Sequence, residues 1–218
     1  GKLILVNSGL SESVVDIGVW GENGQSLTKE FTVPRNNYSL IPLDSLSPGD
    51  QSITIHVVPR SGRVNSFVLD ERGRGLSGLG GDLVNPATSL AKEIFIPAIP
   101  FDARNKRNAI AQLRVLAPGD ADANISVELV SKESRFAPAG IDGQVISHGI
   151  VRTLEFNPGL TSNIYGLIIK SDEPIAAAVF SRVGRDFVWS TAAPELTNLK
   201  MAMTGLNPVL SFVGGSIA

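Results

Sequence analysis

Apolar and polar residues alternate in short runs along this chain instead of recurring every three or four positions. The runs are LILV, VVDIGVW, KEFTV, NYSLIPL, SITIHVV, VNSFVLD, EIFIPAI, AQLRVL, NISVELV, IVRTLEF, IYGLIIK, IAAAVF and FVWST, each closed by Gly, Pro, Asn or Asp. β-Branched and aromatic residues at this spacing, one run every 8–14 residues or so, predict strands joined by turns. Within SITIHVV, Ile53, Ile55 and Val57 fall on one face and Ser52, Thr54 and His56 on the other, the period of two of a half-buried strand. Helical periodicity is confined to PATSLAKE (86–93), where at most two turns are expected. The chain is therefore predicted to be all-β.

The order of the runs repeats. LILVNSG (3–9) followed by VDIGV (15–19) matches LRVLAPG (113–119) followed by ISVEL (125–129), an offset of about 110 residues. YSLIPL (38–43) aligns with VRTLEF (151–156), residues 55–69 with 166–180, and GDLV (81–84) with RDFV (185–188). About seven strands in about 100 residues is the size of one immunoglobulin-like antiparallel sandwich. The expectation is a tandem of two such β-sandwich domains, 1–97 and 109–218, joined by a linker at 98–108 whose prolines precede a charged stretch.

Composition narrows the chemistry. With 43% hydrophobic and 18% charged residues the chain can build real cores. A net charge of −2 provides no broad basic field, so no nucleic-acid partner is expected. There is no cysteine, which removes disulfide frameworks, zinc ribbons and thiol nucleophiles. The two histidines, His56 and His148, cannot make a histidine-rich metal centre, and no metal or cofactor site is expected. No apolar run reaches the roughly 18 residues of a membrane span. A strand-like KLILV directly after Gly1 reads as part of a longer protein.

One stretch carries a motif. RGRGLSGLGGD (72–82) contains Gly73, Gly75 and Gly78 at the G-x-G-x-x-G spacing of a dinucleotide turn. Such a turn needs a helix immediately after it, and Gly80, Gly81 and Pro86 occupy that place. A glycine-loosened surface loop is expected instead, with Arg72 and Arg74 as contact residues. His56 lies on a polar strand face and His148 in a turn, neither beside a nucleophile motif. Asp82 and Asp186 are repeat-equivalent, which favours a structural role, although carboxylates that meet in a cleft between the domains would suit glycoside hydrolysis. Arg104, Lys106 and Arg107 in the linker could hold a phosphate or an acidic glycan. Trp189 and Trp20 could stack on a sugar or fill a core.

LVNSGLSESVVDIGVWGENGQ (5–25), FIPAIP (95–100), SDEPIAAAVFSR (171–182) and GRDFVWSTAAPEL (184–196) together resemble the secreted actinobacterial cell-envelope proteins grouped as domain of unknown function 5719. The resemblance covers nearly the whole chain and carries over no catalytic residue. It implies an extracellular or envelope location, within a longer secreted or membrane-anchored protein, and a partner that is a surface polysaccharide or a membrane glycosyltransferase system. A non-catalytic accessory or binding module is the expectation. The alternatives are a carbohydrate-active hydrolase with an interdomain carboxylate site and a purely structural stalk.

Overall fold

The computed structural model describes residues 1–194, apart from 25, 75–76, 88, 106–108, 110 and 184–185 and the side chains of 26, 74, 77–79, 105 and 183. The first half runs β1 (Lys2–Asn7), β2 (Ser13–Gly21), β3 (Ser26–Val33), β4 (Asn37–Pro42), a helical turn α1 (Leu43–Leu46), β5 (Ile53–Pro59), β6 (Asn65–Arg74) and β7 (Ser77–Val84). Then follow β8 (Ala91–Pro100), a 3₁₀ turn (Ala103–Asn105), β9 (Ala111–Leu116), β10 (Ala123–Val130), β11 (Arg135–Phe136), β12 (Gln144–Ile146), β13 (Arg152–Phe156), β14 (Ile164–Val183) and β15 (Asp186–Thr191). The protein is all-β, and its ladders are antiparallel.

In the first half, a four-stranded sheet of order β4-β1-β6-β7 and a three-stranded sheet β3-β2-β5 enclose Leu3, Leu5, Val15, Ile17, Val19, Val33 and Ile41. The strict alternation of β2, buried at every second residue, is what a strand with one face on a core requires. The second half is one eight-stranded system. Its long strand β14 pairs with β10 up to Ser171 and with β8 as far as Ile175, then with β9 from Ala176 and with β15 from Ala178 onward. β14 thus belongs to both layers around Leu113, Val127, Ile169 and Val179.

The two halves share pairings as well as sequence pattern. Leu3 lies between Ile41 and Val68, and Leu113, at the aligned position, lies between the aligned Leu154 and Val179. A turn bond is shared too: Ser61 Oγ accepts from Val14 N at 3.2 Å, and Asp172 Oδ1 accepts from Asn124 N at 2.7 Å. Along β5 the alignment slips by one residue. Ile17 pairs with Val57 whereas Val127 pairs with Ile169, so the path from that pair to Val68 or Val179 is one residue shorter in the second half.

Asp172 also accepts from Asn124 Nδ2 at 2.6 Å. That side-chain bond first, and the backbone bond second, hold its carboxyl below the usual aspartate range. A depressed folded value means stabilisation that is present at neutral pH and lost as pH falls through it. The melting temperature should therefore decline in acid less steeply for Asp172→Asn than for the parent, as calorimetry from neutral to acid pH would show.

Three expectations are corrected. PATSLAKE is not helical: 86, 87, 89 and 90 lie outside any regular element and Ala91–Glu93 are strand, because Glu93 pairs across with Lys170 and the ladder overrides local preference. Of RGRGLSGLGGD, residues 72–74 and 77–82 are not loop but strand, the ends of β6 and β7, in which Arg72 faces Gly80 and Gly73 faces Gly78 across a register shift; 75–76 lie outside the described residues. The stretch 98–100, expected to open the linker, is the end of β8. Between Tyr165 and Leu167 on β14, β8 steps from Ile99 to Ile96, leaving an extra residue beside Pro97, and Ala98 takes φ of 53°. That bulge turns Ile94, Ile96 and Ile99 all into the core of the second half.

Candidate functional site

The outer face of the β13-β9-β14-β15 arm should be polar by strand alternation, yet it carries Phe180, Phe187 and Trp189 with Arg114. Phe180 sits between Trp189 on β15 and Gln112 on β9, and Arg114 between Ala178 on β14 and Thr153 on β13. Leu113 and Val179, one residue away, point into the core. The face is apolar because the β6–β7 hairpin of the first half lies on it.

Arg72 is the central contact. Its guanidinium carbon stands 4.2 Å from the Phe180 ring centre and 5.0 Å from that of Phe187. Asp70 holds the same guanidinium through Nη2 at 2.9 Å and Nε at 3.1 Å, and its Oδ2 also accepts from the Trp189 indole Nε1 at 2.8 Å. Asp82, the cross-strand neighbour of Asp70, accepts from the Trp189 backbone N at 2.6 Å. Arg114 covers the indole, 4.8 Å from the ring centre, and Trp189 packs edge-on against Phe180. Burial, and then the charge of Arg72, push the Arg114 guanidinium below its ordinary value, while Asp70 and Glu22 oppose the shift. An arginine stays cationic under such shifts. Beside this cluster, Gly21 O accepts from Val151 N at 3.2 Å and the hydroxyls of Ser52 and Thr153 meet at 3.1 Å.

Gly80 of the hairpin has a physical role in the structure. Gly80 has φ of 128°, and a Cβ there would lie 2.2 Å from Asp186 Oδ1, on the turn of the opposing hairpin. Gly80 thus permits close approach between the halves. Gly80→Ala is expected to cost about 1–3 kcal/mol from backbone strain and overlap. Adding Asp186→Ala should restore only the overlap part in chemical denaturation, since the backbone angle still suits glycine alone.

With that geometry in hand, comparison with protein families gives a match: the model of the family of unknown function DUF5719 fits residues 1–207. The chain belongs to DUF5719. No curated protein and no solved structure matches it.

In this DUF5719 chain, two of the residues singled out by sequence, Arg72 and Trp189, meet at the junction. Arg74 ends β6, and its side chain lies outside the described residues, as do Lys106 and Arg107. Arg104 is exposed on the 3₁₀ turn, where its backbone N donates to Asp102 Oδ1 at 3.2 Å. His56 is exposed beside Trp20, their ring centres 6.4 Å apart, and His148 is exposed with Nδ1 2.8 Å from Asp122 Oδ1. Asp70, Arg114 and Phe180 were not singled out. The available signal was the apolar Phe180 and Trp189 at outward positions of their strands.

Two shallow depressions sit at repeat-equivalent places, between the β1–β2 turn and the chain that follows β5 or its counterpart in β14. One, of about 310 Å³, is lined by Asn7, Ser8, Ser11, Ser13 and Arg63. The other, of about 260 Å³, is lined by Leu90, Ala117, Pro118, Ala121 and Pro174 with Asp120 and Glu173. Among the described residues there is no group of three or more side chains able to hold a metal, and no helix long and apolar enough to cross a membrane.

Proposed function

We propose that this DUF5719 chain is a non-catalytic accessory or binding module of the bacterial cell envelope, two immunoglobulin-like units locked into one body that works with a surface glycan or a membrane glycosyltransferase system. One observation carries the non-catalytic reading. The acids nearest to a paired site between the halves, Asp70 and Asp82, are both engaged by Trp189, and Asp70 by Arg72 as well. The two guanidiniums there are engaged as well, Arg72 over the Phe180 ring and Arg114 over the Trp189 indole. The shared registers of Leu3 and Leu113 support two copies of one unit. Placement at the envelope rests on the family resemblance.

With Trp189 and Arg72 engaged, recognition of an acidic polymer falls to the exposed Arg104 and its sequence neighbours Lys106 and Arg107. The test is retention of the chain on anionic envelope polysaccharide, with chain-end analysis of the polymer afterwards. Retention should drop about tenfold or more when Arg104, Lys106 and Arg107 are all changed to Ala, and the polymer should be recovered uncut. Unchanged retention would remove the proposed surface, and new polymer ends would favour the hydrolase.

A further inference from the structure

The second half receives the first through two surfaces. One is the outer face of β13-β9-β14-β15, covered by the β6–β7 hairpin. The other is the edge of β14, which takes β8, the strand that leads from the first half into the second, as a neighbour from Ile164 to Lys170. Under these contacts Leu167 and Ile169 have no exposed surface.

The first half has both surfaces, and among the described residues nothing occupies them. Its face equivalent to the covered one is the outer side of β4-β1-β6-β7. Ile4 stands there in the place of Arg114, between Leu40 and Phe67, and Val6 lies beside Tyr38. The face is apolar and wet: Tyr38 is 61% exposed, Leu40 50% and Leu83 49%. β5 is the counterpart of the first part of β14, and among the described residues it is paired only with β2. Ile55 and Val57, opposite Val19 and Ile17, take the places of Leu167 and Ile169, opposite Leu129 and Val127, yet they remain partly exposed. An open strand edge and an exposed apolar face are each surfaces that folded chains normally cover.

We infer that this face and the β5 edge form a docking surface for a second copy of the chain, bound head to tail as the first half is bound to the second. The occupant follows from continuity with the existing junction: the same two surfaces, in the other copy of the unit, are filled by this fold. An apolar acceptor replaces the charged one of Arg114, so burial, not ion pairing, would hold the contact. A head-to-tail contact of this kind is heterologous, so it builds short open oligomers instead of closing at a dimer. The inference rests on treating the two halves as copies of one unit, but it does not depend on the glycan reading.

The test is sedimentation velocity of the intact chain from micromolar to millimolar concentration, with hydrogen exchange of the β5 amides at each end of the range. Mean mass should rise with concentration and β5 exchange should slow in parallel. Leu40→Glu should weaken association about tenfold or more at unchanged melting temperature. Val145→Glu, an exposed site on β12 of the second half, should leave it alone. Should Leu40→Glu fail to fold, Tyr38→Lys replaces it. A constant monomer mass, association that survives both face variants, or protection confined to other strands would each overturn the inference. Loss of polysaccharide retention in the Arg104 variants with self-association intact would separate the two proposals.

Discussion

Asp70→Ala is expected to destabilise the chain by about 2 kcal/mol and to lower its melting temperature by about 4–8 °C. One carboxylate serves two partners at the junction, and its removal leaves the Arg72 guanidinium and the Trp189 indole N–H without their acceptor. Removing one member of a fully buried ion pair typically costs about 3–5 kcal/mol. Here the figure is discounted because the Arg72 side chain keeps 36% of its surface in water, although Asp70 keeps only 17%. Asp70→Asn should cost less than half as much, since an amide oxygen still accepts from the indole. The cost of Asp70→Asn should shrink in high salt, because what it loses is mainly the Coulombic share. Trp189 itself offers a second readout. Its emission should shift to the red in Asp70→Ala while the cores around Leu5 and Leu113 stay folded by hydrogen exchange. A loss below about 0.5 kcal/mol would mean that the junction is held by apolar contact alone.

That dependence between halves marks the limit of what the sequence could reveal. Alternation located the strands well, because a residue such as Ile17 or Val127 is buried by the sheets of its own half. The β1 and β9 repeat was legible for the same reason, and the register of Leu3 and Leu113 agrees with the alignment residue for residue. Failures occurred where burial comes from the other half. Phe180 and Trp189 break the polar side of the alternation because a hairpin more than 100 residues earlier in the chain covers them. Gly80 suggested freedom, which its φ of 128° uses, but it also reflects lack of room against Asp186. PATSLAKE offered a short helical pattern, but pairing with β14 some 80 residues later decided its end as strand. Trp189 was weighed as either sugar platform or core. The structure places it half-buried and hydrogen-bonded at a junction whose partners no local pattern could name.

Ile96→Ala should have the larger effect, a loss of about 3–4 kcal/mol. Ile96 has no exposed surface, and β8 places it against the core of the second half, opposite Leu167 on β14. The transfer and cavity costs should therefore fall on a core to which its own position in the chain gives no clue. Phe95, the next residue, points outward and is 47% exposed, so Phe95→Ala should cost about 1 kcal/mol or less even though its ring covers Gly166. Hydrogen exchange separates an integral strand from an accessory one. If β8 completes the second half, Ile96→Ala accelerates exchange along β10 and the first part of β14 while β1 and β2 keep their protection. If β8 were merely laid on an already complete core, the two variants would cost about the same and β10 would be unaffected. Since β8 also tethers the two halves covalently, its loss should release the junction cooperatively. The Trp189 emission shift expected for Asp70→Ala should then appear in Ile96→Ala as well, although Ile96 makes none of the junction's hydrogen bonds.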